Sequence, residues 1–211
     1  MLEQYKTVYE GGQGEITEKK SRFIATVQPV KTEEEALAFI EEMKKKYWDA
    51  RHNCSAYQVG PDGRFQRSSD DGEPAGTAGR PILEVLKKQG LTNTAIVVTR
   101  YFGGIKLGAS GLIRAYSHTA ALGLEAADIA VYTPFTILKA TVAYPLVSTM
   151  ERFVPDHGGT ITDRQFAADV TFTMEVPQDE AEPFAAALTD TTSGRVTCQK
   201  TGTLVKPVVS G

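Results

Sequence analysis

The sequence predicts an α+β fold in two domains, residues 1–134 and 135–211. A β-branched run at 95–99 leads into a loop with four glycines and then into a long amphipathic helix. Beyond Pro134, strand and helix signals follow in the order βαββαβ. A chain of 211 residues with 41% hydrophobic residues can bury one large core or two smaller ones. The change of pattern near Pro134 favours two.

Three strand signals open the first domain: residues 5–10, 15–20 and 21–27. Glycines separate the first two, so we expect a small antiparallel meander. Thr32 and Glu35 have the spacing of a capping box, and apolar residues recur at helical intervals after them. A helix is therefore predicted from about residue 33 to 47.

The middle of the first domain contains a hairpin signal followed by an irregular segment. Residues 52–59 and 64–68 predict two strands around the turn Pro61-Asp62-Gly63. Residues 68–79 are too rich in glycine and small polar residues to form a regular element. Loops of this kind carry either function or disorder, and the sequence leaves both open.

Helix signals surround the strand at 95–99. Pro81 lies near the start of one predicted helix and Gly90 is placed to end it. A second helix is predicted to start near Ser110, and its buried face is formed by apolar residues at helical spacing together with Tyr116. The order of these elements is helix, strand, glycine loop and helix.

The second domain is predicted as a ferredoxin-like split βαβ unit. Its elements are strand 135–144, helix 147–157, strand 159–164, strand 167–176, helix 178–189 and strand 195–204. Glycines at 158–159 and 194 are placed to end the two helices. We find no candidate for chemistry in this domain beyond Arg152, His157 and Arg164, and these residues are more typical of surface or structural positions.

Composition limits the classes of function. The 26 acidic residues against 23 Lys and Arg give a net charge of −3 and a pI near 5.7, which argues against a wholly basic nucleic-acid coat. The segment from Arg51 to His118 differs, since nine Lys and Arg against five acids leave +4. Two distant cysteines form no disulfide framework, and neither a signal peptide nor a membrane span is recognised. We expect a cytoplasmic protein with no membrane partner.

The glycine loop is compatible with an anion site. Gly103, Gly104 and Gly108 match neither the P-loop nor the dinucleotide pattern. They are equally typical of a tight turn that packs a helix on a sheet. The anion interpretation is favoured by nearby cations and by the free N–H groups at a helix start.

Three further motifs also allow two interpretations. Ser110 resembles a nucleophile elbow loosely and a helix N-cap more simply. Three acids, Asp70, Asp71 and Glu73, allow a divalent metal site or an ordinary turn beside a glycine. The pair Arg51-His52 is either an anion contact or the polar end of a strand.

The first domain contains three long motifs: Arg51-His-Asn-Cys-Ser-Ala-Tyr57, Ser69-Asp-Asp-Gly-Glu-Pro-Ala-Gly-Thr-Ala-Gly-Arg-Pro81 and Val98-Thr-Arg-Tyr-Phe-Gly-Gly-Ile-Lys-Leu-Gly-Ala-Ser-Gly-Leu-Ile-Arg-Ala-Tyr116. Together they resemble the IMPACT family, and specifically its bacterial YigZ-like branch. The resemblance implies a first domain like domain IV of elongation factor G, a ribosomal-protein-type β-α-β fold with helices on one sheet face. It implies a second domain like domain V of that factor. The eukaryotic member is associated with translational control, and bacterial members are proposed to bind nucleic acid or the ribosome.

We therefore expect a noncatalytic protein that regulates translation and binds RNA or the ribosome, with a protein of the translation machinery as a further partner. Tyr101 or Phe102 would stack on a base. The anion-binding candidates are Arg51, His52, Thr77, Arg80, Arg100, Gly103, Gly104, Lys106, Gly108, Ser110 and Arg114. No catalytic residue and no cofactor is assigned. The alternatives are a small-molecule phosphotransferase or hydrolase that uses the glycine loop, and a protein adaptor.

Overall fold

A computed structural model describes residues 4–60 and 62–209, which form two compact units. The N-terminal unit comprises residues 4–132 with 207–209, and the C-terminal unit comprises residues 133–206. The strands are β1 (Tyr5–Glu10), β2 (Gln13–Glu18), β3 (Ser21–Pro29), β4 (His52–Val59), β5 (Phe65–Ser69), β6 (Leu91–Thr92), β7 (Thr94–Tyr101), β8 (Asp128–Val142), β9 (Thr160–Phe166), β10 (Val170–Pro177) and β11 (Gln199–Val209). The helices are α1 (Glu33–Lys46), α2 (Gly79–Lys88), α3 (Gly108–Glu125), α4 (Val147–Asp156) and α5 (Ala181–Thr191). The predicted two-domain α+β architecture is therefore confirmed.

A five-stranded antiparallel sheet forms the centre of the N-terminal unit. Its strand order is β2-β3-β7-β4-β5. The central strands β4 and β7 are buried along nearly their whole length, because helices cover both faces of the sheet. On one face, α2 and α3 pack against Phe23, Ile96 and Val98. On the other face, α1 packs against Tyr57 and Val97.

The position of α1 corrects the expectation that the helices lie on one sheet face. Successive side chains of a strand point to opposite faces, so Ile96 and Val97 each need a separate apolar cover. Ile96 is covered by α2 and α3, whereas Val97 is covered by α1. A continuous apolar run such as that of β7 is typical of a strand buried on both faces.

The predicted meander of the first three strands is wrong in one pairing. β2 and β3 form an antiparallel hairpin, but β1 pairs in parallel with β6 and antiparallel with residues 128–132 of β8. The chain leaves β1 through Gly11 and Gly12. A Cβ atom on Gly12 would lie 2.5 Å from the backbone of Ala126, at the end of α3. Gly12 therefore packs directly on the backbone at the end of α3.

The C-terminal unit has the predicted order βαββαβ. Its strands lie in the order β11-β8-β10-β9. β10 is antiparallel to both β8 and β9. Helices α4 and α5 cover this sheet and share a core that includes Phe153, Phe172 and Leu188. The alternating burial of β10 agrees with a sheet that has one covered face.

The cysteines, the helices and one predicted turn complete the description of the fold. Cys54 and Cys198 are free thiols that lie in different units. No described helix has both the length and the apolar character that a membrane span requires. In the predicted turn Pro61-Asp62-Gly63, Pro61 lies outside the described residues.

Candidate functional site

The three sequence motifs converge on one cavity of about 440 Å³ in the N-terminal unit. The first motif contributes Arg51 and His52, and the second contributes Glu73. The third motif supplies the remaining charged and aromatic groups: Arg100, Phe102 and Lys106, with Gly108 at the start of α3. The expectation that these segments lie on one face agrees with this arrangement.

Sheet pairing places His52 beside Arg100. His52 is the first residue of β4 and lies opposite Arg100 of β7 in the antiparallel register. On its other side, Arg100 lies opposite Phe23 of β3. Since β7 is the central strand, its end delivers Arg100 to the cavity between two neighbours, and the glycine loop then leads directly to α3.

Asp70 organises the loop between β5 and α2. Its two carboxylate oxygens accept hydrogen bonds of 2.8 to 3.0 Å from the backbone N–H groups of Gly76, Ala78 and Gly79. Burial acts to raise the pKa of Asp70, but the three N–H donors outweigh it and hold the pKa below its usual value. The glycine-rich segment is therefore an ordered loop with its own cap for the start of α2.

A buried ion pair forms the floor of the cavity. The guanidinium of Arg100 donates from Nη1 to Glu73 Oε1 at 2.7 Å, and both side chains are almost wholly buried. Its Nη2 donates to Ser21 Oγ at 3.3 Å. The same Glu73 oxygen accepts the hydroxyl of Tyr116 at 2.8 Å. Arg100 was predicted as an anion contact, but its charge is already paired with Glu73.

One polar atom of this network has no partner. Arg100 Nε is buried and makes no hydrogen bond to any described residue. The guanidinium lies between the rings of Phe23 and Phe102, at 5.4 Å from each ring centroid. These contacts fix the guanidinium plane at the cavity wall while leaving one N–H donor unsatisfied.

His52 is oriented by the loop. Its Nδ1 lies 2.9 Å from the backbone carbonyl oxygen of Asp71. A carbonyl oxygen can only accept, so Nδ1 carries the proton and Nε2 is the acceptor in the neutral ring. Nε2 lies 4.0 Å from Glu73 Oε2. The loop therefore sets the tautomer of a histidine that lines the cavity.

Two cations at the cavity are unpaired. Arg51 and Lys106 are exposed, and neither side chain forms an ion pair or hydrogen bond with residues 4–60 or 62–209. The lining thus contains three cations against one carboxylate, which leaves two positive charges when His52 is neutral. The start of α3 adds partial positive charge, because its first N–H groups have no helical acceptor.

The start of α3 corrects the prediction for Ser110. The N-cap position is Leu107, without a side-chain cap, and Ser110 is the third residue of the helix. Gly108 begins the helix with a φ of +74°, a conformation that glycine adopts without strain. The helix therefore starts two residues earlier than predicted, and its first turn faces the cavity through Gly108.

Several predicted site residues lie away from this cavity. Thr77 is buried and donates to the carbonyl oxygen of Pro74, so it stabilises the loop. Ser110 and Arg80 are exposed but do not line the cavity. Gly103 packs against the backbone of Lys20, where a Cβ atom would have no room. Gly104 has a positive φ and serves the turn.

Arg114 belongs to a different depression. With His118, it lines a groove of about 770 Å³ between α2, α3 and β2. Their spacing of four residues does place both on one helix face, as predicted. That face is separate from the cavity, however, so the predicted set of cations divides between two sites.

The structure does not gather the predicted metal ligands. Asp70 is engaged by backbone N–H groups, and Asp71 accepts the N–H of Asn53 at 2.7 Å. Glu73 is paired with Arg100. Within the described part of the chain, no group of three potential ligands is placed to hold a metal ion. The three carboxylates each stabilise a different contact, which accounts for their separation.

Sequence reasoning missed the hydrogen-bonded role of Tyr116 and Ser21. Tyr116 was assigned only to the buried face of its helix, and it is fully buried. A buried tyrosine hydroxyl usually needs a partner, which is the signal that would have suggested a polar network. Cys54 donates to this hydroxyl at 3.3 Å, and burial raises the pKa of the Cys54 thiol. A reactive thiolate is therefore disfavoured here.

Comparisons with known proteins give consistent matches. The family model for the Impact N-terminal domain matches residues 19–124, and a domain of unknown function (DUF1949) matches residues 141–195. IMPACT family member YvyE of Bacillus subtilis is 43% identical over 195 residues, which cover 92% of this chain and 90% of that protein. IMPACT family member YigZ of Escherichia coli is 36% identical over 178 residues, covering 83% and 87%. A crystal structure of a hypothetical protein is 32% identical with a TM-score of 0.61, covering 96% of this chain and 99% of that chain.

Proposed function

Since the chain belongs to the IMPACT family, among its bacterial YigZ-like members, we propose that it regulates translation in the cytoplasm by binding RNA or the ribosome. The family resemblance suggests the translation machinery as the setting. The contact with RNA is assigned to the cavity where the three motifs meet. In this proposal the protein acts by binding and has no catalytic role.

The single observation that supports this proposal best is the arrangement of positive charge. Arg51 and Lys106 are unpaired beside the first turn of α3, and both line the same cavity. Cationic side chains next to a helix start form a favourable site for a phosphate group.

The neighbouring residues favour binding over covalent chemistry. The thiol of Cys54 is buried and hydrogen-bonded, and Asp70 is engaged by backbone donors. Glu73 is held by Arg100 and Tyr116. The Cys54 thiol and the Asp70 and Glu73 carboxylates therefore have structural contacts in the described chain, whereas the two exposed cations do not.

The proposal is tested by measuring binding to single-stranded RNA and to ribosomes as a function of salt. The affinity should fall as salt rises, with a slope of about −0.7 in log K against log salt for each phosphate contact. Arg51→Gln with Lys106→Gln should weaken binding and make the slope shallower by about 1.4. Arg152→Gln, an exposed cation of α4, is the matched control and should leave both unchanged.

Two outcomes would contradict this assignment. Undetectable binding to RNA and ribosomes would contradict the proposed function itself. Ribosome binding that persists after both substitutions, without salt dependence, would instead support the adaptor alternative.

We further propose that the N-terminal unit shares the fold of domain IV of elongation factor G and the C-terminal unit that of domain V. The βαββαβ order and the strand order β11-β8-β10-β9 support the second assignment. Superposition of each unit on the corresponding domain tests both. A different strand connectivity would contradict the assignment. For the N-terminal unit, domain IV must also have a helix in the position of α1, on the second face of the sheet.

A further inference from the structure

Two hydrogen-bond acceptors face the cavity without a donor. His52 uses Nδ1 for the carbonyl of Asp71, which leaves the Nε2 lone pair free in the neutral ring. Glu73 uses Oε1 for both Arg100 and Tyr116, while Oε2 accepts no hydrogen bond from a described residue. The two free atoms, His52 Nε2 and Glu73 Oε2, are 4.0 Å apart. Nε2 of neutral His52 carries no hydrogen and cannot donate to Glu73 Oε2, so neither of these acceptors has a donor.

A hydroxyl group is the ligand chemistry that fits these acceptors. Its hydrogen can be donated to either atom, and neighbouring hydroxyls can serve both. A phosphate oxygen would fit poorly at these two atoms, because Glu73 is negatively charged and His52 Nε2 presents a lone pair. The cavity thus has a hydroxyl-accepting part beside the cationic part formed by Arg51 and Lys106.

Phe102 supplies a third kind of contact. Its side chain is 47% exposed, although the ring packs against Arg100 at 5.4 Å, and it lines the cavity. An exposed aromatic ring beside a cationic groove is typical of proteins that stack a base. Tyr101 was the other stacking candidate, but its hydroxyl donates to Asp49 at 2.8 Å and it does not line the cavity. The structure therefore favours Phe102.

We infer that the cavity binds one ribonucleotide of a single-stranded RNA and distinguishes it from a deoxyribonucleotide through the acceptors His52 Nε2 and Glu73 Oε2. The phosphate lies with Arg51, Lys106 and the start of α3, and the base stacks on Phe102. The inference rests on the proposed RNA-binding function and adds the sugar preference. The ribose 2′-hydroxyl is the group that lets a protein tell RNA from DNA at one site.

Single-stranded ligand is required by the same geometry. A base that stacks on Phe102 cannot remain stacked between its neighbours in a duplex. Binding of paired RNA would therefore require free energy to unstack and unpair one base, which lowers its affinity. The cavity volume of about 440 Å³ is within the range of pockets for small ligands, which suits a single nucleotide unit.

The experiment measures the affinity of the full chain for fluorescent oligoadenylates of equal length made of RNA, DNA and 2′-O-methyl RNA at one low salt concentration. Wild-type protein should bind RNA about tenfold more tightly than DNA, the effect of one hydrogen bond. The 2′-O-methyl strand has no hydroxyl hydrogen and should behave like DNA. This comparison changes only the ligand, so it does not depend on a variant that folds.

Substitutions in the protein then test whether His52 causes the preference for RNA over DNA. His52→Phe should reduce the ratio of the RNA affinity to the DNA affinity towards one, because it removes one of the two acceptors. The matched control is His157→Phe in the C-terminal unit, since His157 also places Nδ1 on a backbone carbonyl, that of Phe153 at 2.9 Å. It should retain the full RNA preference.

The outcomes separate the inference from the proposed function. Equal affinity of the wild-type protein for RNA and DNA, with both weakened by Lys106→Gln, would overturn the sugar preference and leave the phosphate site intact. No binding of any oligonucleotide would overturn both. An RNA preference that survives His52→Phe would overturn the assignment to His52.

Discussion

Tyr116 donates a hydrogen bond of 2.8 Å to the carboxylate of Glu73, which lies 43 residues before it in the chain. The contact joins the buried face of α3 to the loop between β5 and α2. Glu73 is also held by Arg100 at the end of β7. One carboxylate therefore connects the second and third motifs, and it does so beneath the cavity.

Removal of the Tyr116 hydroxyl should loosen this connection. Tyr116→Phe leaves the packing of the ring but takes one donor from Glu73, while the Cys54 thiol keeps the carbonyl oxygen of Asp70 as an acceptor. We expect the free energy of unfolding to fall by about 1 to 3 kcal/mol, measured by urea denaturation. Tyr132→Phe is the control, since that ring stacks on Tyr5 and its hydroxyl has no described hydrogen bond. An equal loss in both variants would contradict this role.

The Glu73–Arg100 pair should behave as a buried pair. Glu73→Gln or Arg100→Met leaves one uncompensated buried group, so each should cost about 3 to 5 kcal/mol. The double variant should cost less than the sum of the single variants. The exposed bidentate pair of Glu15 with Arg22 is the comparison, and its loss should cost no more than about 1 kcal/mol. Additive losses at Glu73 and Arg100 in urea denaturation would show that the two are not coupled.

Local contacts were the ones that the sequence could predict. The capping box identified the start of α1, where Thr32 does accept the N–H of Glu35 at 3.2 Å. Both partners lie within four residues, so their spacing alone contains the information. The convergence of the three motifs was also expected, although from a family resemblance rather than from spacing.

Contacts between distant residues could not be predicted in the same way. The expectation that Arg100 is free to bind an anion failed because its partner, Glu73, is 27 residues away and reaches it only through the folded loop. Arg114 lies on a different face of α3 from Ala109 and Leu112, which line the cavity, so it belongs to the other groove. Which charges are paired is decided by tertiary packing, so composition alone overestimated the cations available to a ligand.

Acid should weaken the loop that Asp70 caps. Its pKa is lowered in the folded protein, so its contribution to stability is present above the unfolded pKa near 3.9 and is lost as pH falls through the lower, folded value. Asp70→Asn should reduce the free energy of unfolding by about 1 to 3 kcal/mol at neutral pH, and the difference from wild type should shrink below about pH 4.

Urea denaturation at several pH values measures this effect. Asp156→Asn, at an exposed aspartate at the end of α4, is the control and should follow the wild-type curve. A difference between Asp70→Asn and wild type that stays constant down to pH 2 would contradict the assignment of the charge on Asp70 as the stabilising group.

Glycines of the loop before α3 should respond to substitution for different reasons. Gly104 and Gly108 have φ values of +87° and +74° with nothing within 4 Å of an added Cβ atom, so alanine there adds only backbone strain. We expect a loss of about 1 kcal/mol from Gly104→Ala or Gly108→Ala. At Gly103 a Cβ atom would lie 2.0 Å from the backbone of Lys20, which no side-chain movement can relieve.

Gly103→Ala should therefore be the most damaging of the three. The forced separation would also break the hydrogen bond from the Gly103 N–H to Ser21 Oγ, the hydroxyl that accepts from Arg100 Nη2. We expect the free energy of unfolding to fall by more than about 3 kcal/mol. Hydrogen exchange at the amides of β3 and β7 should also be faster than in Gly104→Ala. Urea denaturation and hydrogen exchange measure both. Equal losses in Gly103→Ala and Gly104→Ala would mean that positive φ, and not close packing on the β2–β3 turn, determines the glycine requirement of this loop.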